Sequence, residues 1–289
     1  MSTALIVGAG LIGMSFAQRF VNSGWNVHIA DVAAEVEEKV TDTFGDRFGT
    51  TVTFSTDMKK AAEGVDFVQE SGPEKIEIKR QMFADLAAAT DDGVPLASSS
   101  SALLPSKIAE GNPAADRILI GHPFTPPSLM PVLEIVPGPG TSQEIVDKAL
   151  AVYKEIGLDP SQLKKEIPGF VGNRIQKIIM WELIGLVQEG VVDVEEADRI
   201  VRNSLGLRYA TVGPFEANQL GGGKQGIRGF FENIAYDWDT TLKPLQPDLG
   251  HMEDIFTAVE EAFGDDPDAR IAKRDHDLQG FLEVRGDKK

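Results

Sequence analysis

The sequence predicts an α/β chain in which a doubly wound, mostly parallel sheet is followed by a smaller all-α domain. Three observations carry this expectation. Short apolar runs alternate with amphipathic stretches through the first half, a glycine-rich turn follows the first of those runs, and after Pro168 only helical spacing remains.

Taken in order, strand-like runs fall at 4–7, 27–31, 52–55, 67–70, 95–98, 118–121 and 132–136, with a further one at 162–166. Helical stretches lie between them at 13–23, 33–44, 74–88 and 142–156. Strands joined through helices read as βαβ units and hence as a parallel sheet. Residues 170–191 read as one long helix, because Val171, Ile175, Ile178, Ile179, Leu183, Leu186 and Val187 recur at helical spacing. Further helices are expected at 194–204, 214–220, 226–236, 252–263 and 267–284, with loops at 221–223 and 243–250. The expected domains are therefore 1–167, a nucleotide-binding sheet, and 168–289, a helical domain.

Composition narrows the function classes. The chain has 289 residues, 42% hydrophobic and 25% charged, which suits an ordinary globular protein with ample core. No run of about 18 apolar residues is present, so a membrane span is not expected. The start MSTALIVGAG enters a strand directly and carries no secretory pattern, and a cytoplasmic location is expected. With 28 basic against 45 acidic residues the formal charge is −17, which argues against nucleic acid or an anionic membrane as partner. There are no cysteines, so disulfides, thiolate catalysis and Cys-ligated zinc are excluded, and no metal is expected.

The turn Gly8-Ala9-Gly10-Leu11-Ile12-Gly13 follows the strand ALIV and opens a helix. Gly8 permits the tight turn, Gly10 lets backbone approach a pyrophosphate, and Gly13 allows close packing of helix on strand. The helix start offers unpaired N–H groups and a positive dipole end to phosphate. Asp31 ends the second strand, eighteen residues beyond Gly13, where an acid suits both ribose hydroxyls and repels a 2′-phosphate. Val32-Ala33-Ala34 supply no cation to receive such a phosphate. The pattern predicts a Rossmann domain that binds NAD in preference to NADP.

The stretch 121–138, GHPFTPPSLMPVLEIVPG, places His122, one of four histidines, twelve residues ahead of Glu134. Glu134 lies in the apolar run 132–136, where an acid is costly to bury without a partner. A carboxylate beside an imidazole fixes its tautomer and favours its protonated form. A nucleotide site with a His–Glu pair points to hydride chemistry on an alcohol, with His122 as base. Two more segments belong with it. Residues 97–104, ASSSSALL, end a strand in four serines, and residues 168–176, PGFVGNRIQ, put Asn173 on the first turn of the long helix at the domain boundary.

With these segments the chain resembles the 3-hydroxyacyl-CoA dehydrogenase superfamily over its whole length. The resemblance implies that His122 takes the hydroxyl proton while hydride leaves the same carbon for NAD. It further implies that Glu134 orients the imidazole, and that Ser101 and Asn173 hydrogen-bond the substrate oxygen. Glu70 and Lys79, in VQESGPEKIEIK, resemble family residues near the nicotinamide end of the cofactor.

The acyl-CoA branch carries a helical hairpin after the second strand, whereas here only residues 32–51 separate Asp31 from the next strand. The chain is more similar to the small-substrate branch of L-gulonate 3-dehydrogenase, lambda-crystallin and carnitine dehydrogenase, through HP at 122–123, LVQEGVV at 186–192 and GLRYATVGPFE at 206–216. That branch implies a small polar L-3-hydroxy acid as substrate and a homodimer formed through the helical domain. Arg208 is the candidate carboxylate clamp, since a guanidinium fork matches a carboxylate bidentately. Thr125 departs from the family's usual asparagine and marks a substrate-side position that differs here. Two alternatives stay open: a 3-hydroxybutyryl-CoA type dehydrogenase, and a non-catalytic, crystallin-like NAD-binding protein.

Overall fold

A computed structural model describes residues 1–264 and 267–286; positions 265, 266 and 287–289 of the expected helical domain lie outside the described residues. The described chain falls into two compact units, one of Met1–Asn173 and one that begins at Arg174.

The first unit is built on one eight-stranded sheet of order β3-β2-β1-β4-β5-β6-β7-β8. The strands are β1 Thr3–Val7, β2 Asn26–Ala30, β3 Val52–Ser55, β4 Phe67–Glu70, β5 Leu96–Ser98, β6 Ile118–Pro123, β7 Val132–Pro137 and β8 Asp159–Gln162. All neighbours pair parallel except β6 and β7, which form an antiparallel hairpin in which His122 faces Glu134 across the ladder. The order reverses between β1 and β4, and a ligand crevice in an open α/β sheet opens at such a switch point.

Both faces of the sheet are buried, which is why its strands read as continuous apolar runs. Along β1 the side chains alternate: Ala4 and Ile6 enter the hydrophobic cluster on one face, Leu5 and Val7 that on the other. Helix α1, Leu11–Asn22, packs Phe16, Ala17 and Phe20 into the first cluster. Helices α2, Val36–Phe44, α3, Ile76–Ala89, and α4, Gln143–Glu155, complete the two layers, and the Ser142 hydroxyl caps α4 by accepting from Ile145 N at 3.3 Å.

One strand departs from expectation. β8 runs Asp159–Gln162, ahead of the further strand expected at 162–166. Asp159, Ser161 and Gln162 are exposed and the fourth residue, Pro160, is buried; a proline is tolerable here because β8 is an edge. An edge strand need not alternate apolar and polar residues, so periodicity does not reveal it.

Among its described residues the second unit contains helices and loops but no strand. It comprises most of α5, Gly172–Gln188, then α6, Val194–Val201, α7, Pro214–Gly221, α8, Gly226–Asn233, α9, Met252–Phe263, and α10, Pro267–Arg285. Asp193 caps α6 by accepting from Glu196 N at 2.7 Å. After α6 a wide turn at Arg202–Gly206 leads into Leu207–Tyr209, which carries Arg208. Among the described residues no helix is long and apolar enough to cross a membrane.

Candidate active site

The glycine-rich turn joins β1 to α1 at the switch point. Gly8 sits at φ +95°, where a Cβ would stand 2.8 Å from the Ser71 carbonyl oxygen. A Cβ on Gly13 would lie 1.9 Å from the Gly8 oxygen, so only glycine lets α1 start this close to the strand. At Gly10 an added Cβ would meet no atom of the described residues beyond its chain neighbours within 4 Å, and no side chain caps the helix there. Open space in front of uncapped N–H groups is what a diphosphate requires. Leu11 is exposed and Ile12 half-buried at the same helix start. Asp31 accepts from Ala9 N at 2.7 Å and from Ala33 N at 3.0 Å. Those bonds tie the acid to the turn and leave lone pairs for ribose hydroxyls. The cradle fits a dinucleotide.

The hairpin of β6 and β7 carries the second half of the site. His122 Nδ1 lies 2.9 Å from Glu134 Oε2, with both residues buried. Glu134 Oε1 accepts from Val171 N at 2.9 Å and Gly172 N at 3.1 Å. Burial pushes the Glu134 carboxyl upward, but the hydrogen bonds from His122, Gly172 and Val171 outweigh it and hold the group below its ordinary value. A carboxylate can only accept, so Nδ1 is the donor to Glu134, and the tautomer that this bond selects has its lone pair on Nε2. Nε2 has no hydrogen-bond partner among the described residues. Phe124 and Phe170 flank the imidazole, each with its centroid 5.4 Å away. A Cβ on Gly172 would meet the Phe124 ring at 2.3 Å, so this glycine lets the loop after His122 pack against the 171–172 amides.

Ser101 is exposed just past β5 and its backbone is gripped on both sides. Glu74 Oε1 accepts from Ser101 N at 3.1 Å and Ala102 N at 3.0 Å, and Asn173 Nδ2 donates to Ser101 O at 3.1 Å. Ser101, His122, Glu134 and Asn173 thus lie in one unit, joined in two hydrogen-bonded groups. Thr125 is exposed on the loop after His122. Arg208 belongs to the helical unit, where its guanidinium lies 5.9 Å from the Tyr209 ring centroid.

Glu70 and Lys79 meet each other rather than open space. Lys79 Nζ donates to both Glu70 oxygens at 2.7 Å, with exposures of 1% and 0%. Ser98 Oγ donates to Glu70 Oε2 at 2.5 Å, and Glu74 lies 3.6 Å from the same ammonium. A charge pair this deep holds only because every donor is matched. It forms a floor beneath the serine loop.

Three features escaped the sequence reading: the acid Glu74, the two aromatic walls of His122, and the Val171–Gly172 amides. Burial pushes the Glu74 carboxyl upward, yet bonds from Ser100, Ala102 and Leu103 and the charge on Lys79 bring it below its ordinary value. Its only sequence signal is its place after β4 in Gly72-Pro73-Glu74, a strand end facing the crevice.

Fold and site define a two-unit, dinucleotide-binding oxidoreductase with a buried, hydrogen-bonded His–Glu pair on its sheet. Comparison with known proteins agrees. Residues 3–167 match the family "3-hydroxyacyl-CoA dehydrogenase, NAD binding domain" and residues 169–265 match "3-hydroxyacyl-CoA dehydrogenase, C-terminal domain". A 3-hydroxyacyl-CoA dehydrogenase of Gibberella moniliformis is 40% identical over 80% of this chain and 76% of its own length. Lambda-crystallin of Oryctolagus cuniculus is 33% identical over 94% and 91%. Among solved structures, 5-formyl-3-hydroxy-2-methylpyridine 4-carboxylic acid 5-dehydrogenase, described as an NAD+ dependent dismutase, superimposes with a TM-score of 0.81 at 25% identity, covering 99% of this chain and 98% of that one. The chain belongs to the 3-hydroxyacyl-CoA dehydrogenase family, and its cofactor is NAD.

Proposed function

We propose that the protein oxidises the secondary alcohol of a small polar L-3-hydroxy acid to the 3-oxo acid, with NAD as acceptor. The observation that carries this is the His122–Glu134 pair, with Nδ1 engaged at 2.9 Å and Nε2 left for a substrate proton. Bound NAD supplies the hydride acceptor. His122 Nε2 takes the hydroxyl proton, and Glu134 stabilises the imidazolium that results. Ser101 Oγ and the remaining Asn173 N–H donate to the oxygen that becomes the carbonyl. Asp31 holds the adenosine ribose, and Glu70 with Lys79 supports the nicotinamide side through Ser98 and Glu74.

A small free acid is favoured over a CoA thioester because α2, of nine residues, is the one α-helix between β2 and β3. That leaves no helical hairpin of the kind the acyl-CoA branch uses to hold CoA. Arg208 would pair with the substrate carboxylate, and Thr125 would line the substrate side. The second reading, a CoA-ester substrate, draws on the name of the Gibberella relative. Following NADH absorbance with L-gulonate, carnitine and 3-hydroxybutyrate against 3-hydroxybutyryl-CoA separates the two. Turnover of a free acid supports the proposal, and a strong preference for the CoA ester overturns it.

The same reading makes the protein a cytoplasmic homodimer paired through its helical unit. Exposed Ile175, Ile178 and Ile179 on α5 support it, since an open apolar stripe favours burial against a second copy. Sedimentation of the purified protein as a monomer would contradict this.

A further inference from the structure

Helix α1 does a second thing besides opening at the cofactor turn. Arg19, in its last turn, reaches across to the loop 124–131 that closes the His122–Glu134 hairpin. Its Nε and Nη2 donate to Pro127 O at 3.1 and 3.0 Å, and Nη2 also to Ser128 O at 3.1 Å and Met130 O at 3.4 Å. Nη1 reaches Gly157 O at 3.4 Å. Among the described residues Arg19 makes no ion pair with a carboxylate. Taking a guanidinium half out of water without a counter-ion is costly, and burial draws its pKa below the ordinary arginine value.

The loop explains why that cost is met. Pro126, Pro127 and Pro131 contribute carbonyl oxygens but no N–H, so the segment is rich in acceptors and poor in donors. Within it, only Leu129 N and Met130 N turn back, both to Pro126 O, at 3.1 and 2.9 Å. A planar fork of five donors fits such a cluster of carbonyls, whereas the three donors of a lysine radiate from one point. The loop also starts at the base: Phe124, its first residue, packs on His122, and Thr125 follows at the surface.

We propose that Arg19 is a positioning residue of the active site. Its bonds to the Pro127, Ser128 and Met130 carbonyls fix the loop to the cofactor helix and so hold Phe124 against His122 and Thr125 at the rim. The inference rests on the reading of His122 as base for its catalytic meaning; the anchoring itself does not.

The test uses the full-length, NADH-loaded protein and the variants Arg19→Ala and Arg19→Lys, so that failure of one to fold leaves the other. Hydrogen exchange is followed at Leu129 and Met130, together with the His122 Cε1–H resonance, assigned by its absence in His122→Ala. In Arg19→Ala exchange in the loop should rise about tenfold while β1 and β4 stay unchanged. The His122 resonance should shift as the Phe124 ring moves. Methylguanidinium should restore both, ammonium should restore neither, and Arg19→Lys should fall between. Unchanged exchange and resonance, or equal acceleration across the whole sheet, would overturn the proposal. Turnover takes no part in these readouts. An active His122→Ala would therefore sink the catalytic reading while leaving the anchoring to stand or fall by itself.

Discussion

The two halves of the site share one sheet but are made from opposite materials. At residues 8–13 the protein uses backbone and empty space: a Cβ on Gly8 or Gly13 would collide with a carbonyl oxygen, and Gly10 faces open volume. At the β6–β7 hairpin it uses buried side chains held in a chain of hydrogen bonds, His122 Nδ1 to Glu134 and Glu134 to two backbone amides, with only Nε2 left over. Space is damaged by adding atoms, and a matched network is damaged by removing or swapping them. Substitutions in the two places should therefore fail in different ways.

The largest effect belongs to the hairpin. His122→Ala should lower kcat by about 10³-fold, the scale of a lost general base, while NADH binds as before. Titrating NADH fluorescence on the preparation used for kinetics checks both halves, and a parallel loss of NADH affinity would blur the division between the two regions.

At the turn, Gly13→Ala should do the reverse. A methyl placed 1.9 Å from the Gly8 oxygen forces the helix start away from the strand. Stability should fall by about 3 kcal/mol in denaturant titration, with NADH binding lost.

Glu134→Gln sharpens the comparison because it keeps shape and changes only chemistry. An amide that still accepts from Val171 and Gly172 presents its NH₂ to His122 and imposes the wrong tautomer, so kcat should drop by about 10²-fold. The carboxyl's folded pKa is depressed, so its contribution to stability is full above the ordinary value of 4.5 and is lost as pH falls below it through the lowered one. Thermal midpoints of the wild type should accordingly fall in that acid range more steeply than those of Glu134→Gln.

The smallest change is at the ribose. Asp31→Ala removes the acceptor for Ala9 and Ala33 and should weaken NADH about tenfold, with discrimination against NADPH relaxed. Unaltered cofactor preference would remove Asp31 from the site.

The same contrast explains what could be read from the sequence. The glycine turn is contiguous and its reasons are local, so its position, the strand before it and Asp31 after it are all legible. His122 and Glu134 stand close in the chain and pair across a single hairpin. The remaining parts come from far away: the 171–172 amides arrive 37 and 38 residues after Glu134, and Glu74 meets Ser101 across 27. Arg19 meets Pro127 across 108 residues. Nothing in local spacing announces such partners, and an arginine in a helix's last turn looks like an ordinary favourable end charge. Lys79 likewise sits on a helix whose charges read as solvated, yet the fold buries it on Glu70.

The central claim is that Glu134 acts through His122, and kcat for His122→Ala, Glu134→Gln and the double variant tests it in one cycle. If the two form a unit, the double variant should be no slower than His122→Ala alone. Losses that multiply, so that the double variant is slower than His122→Ala by the full factor of Glu134→Gln, would show Glu134 working independently of the histidine and contradict the claim.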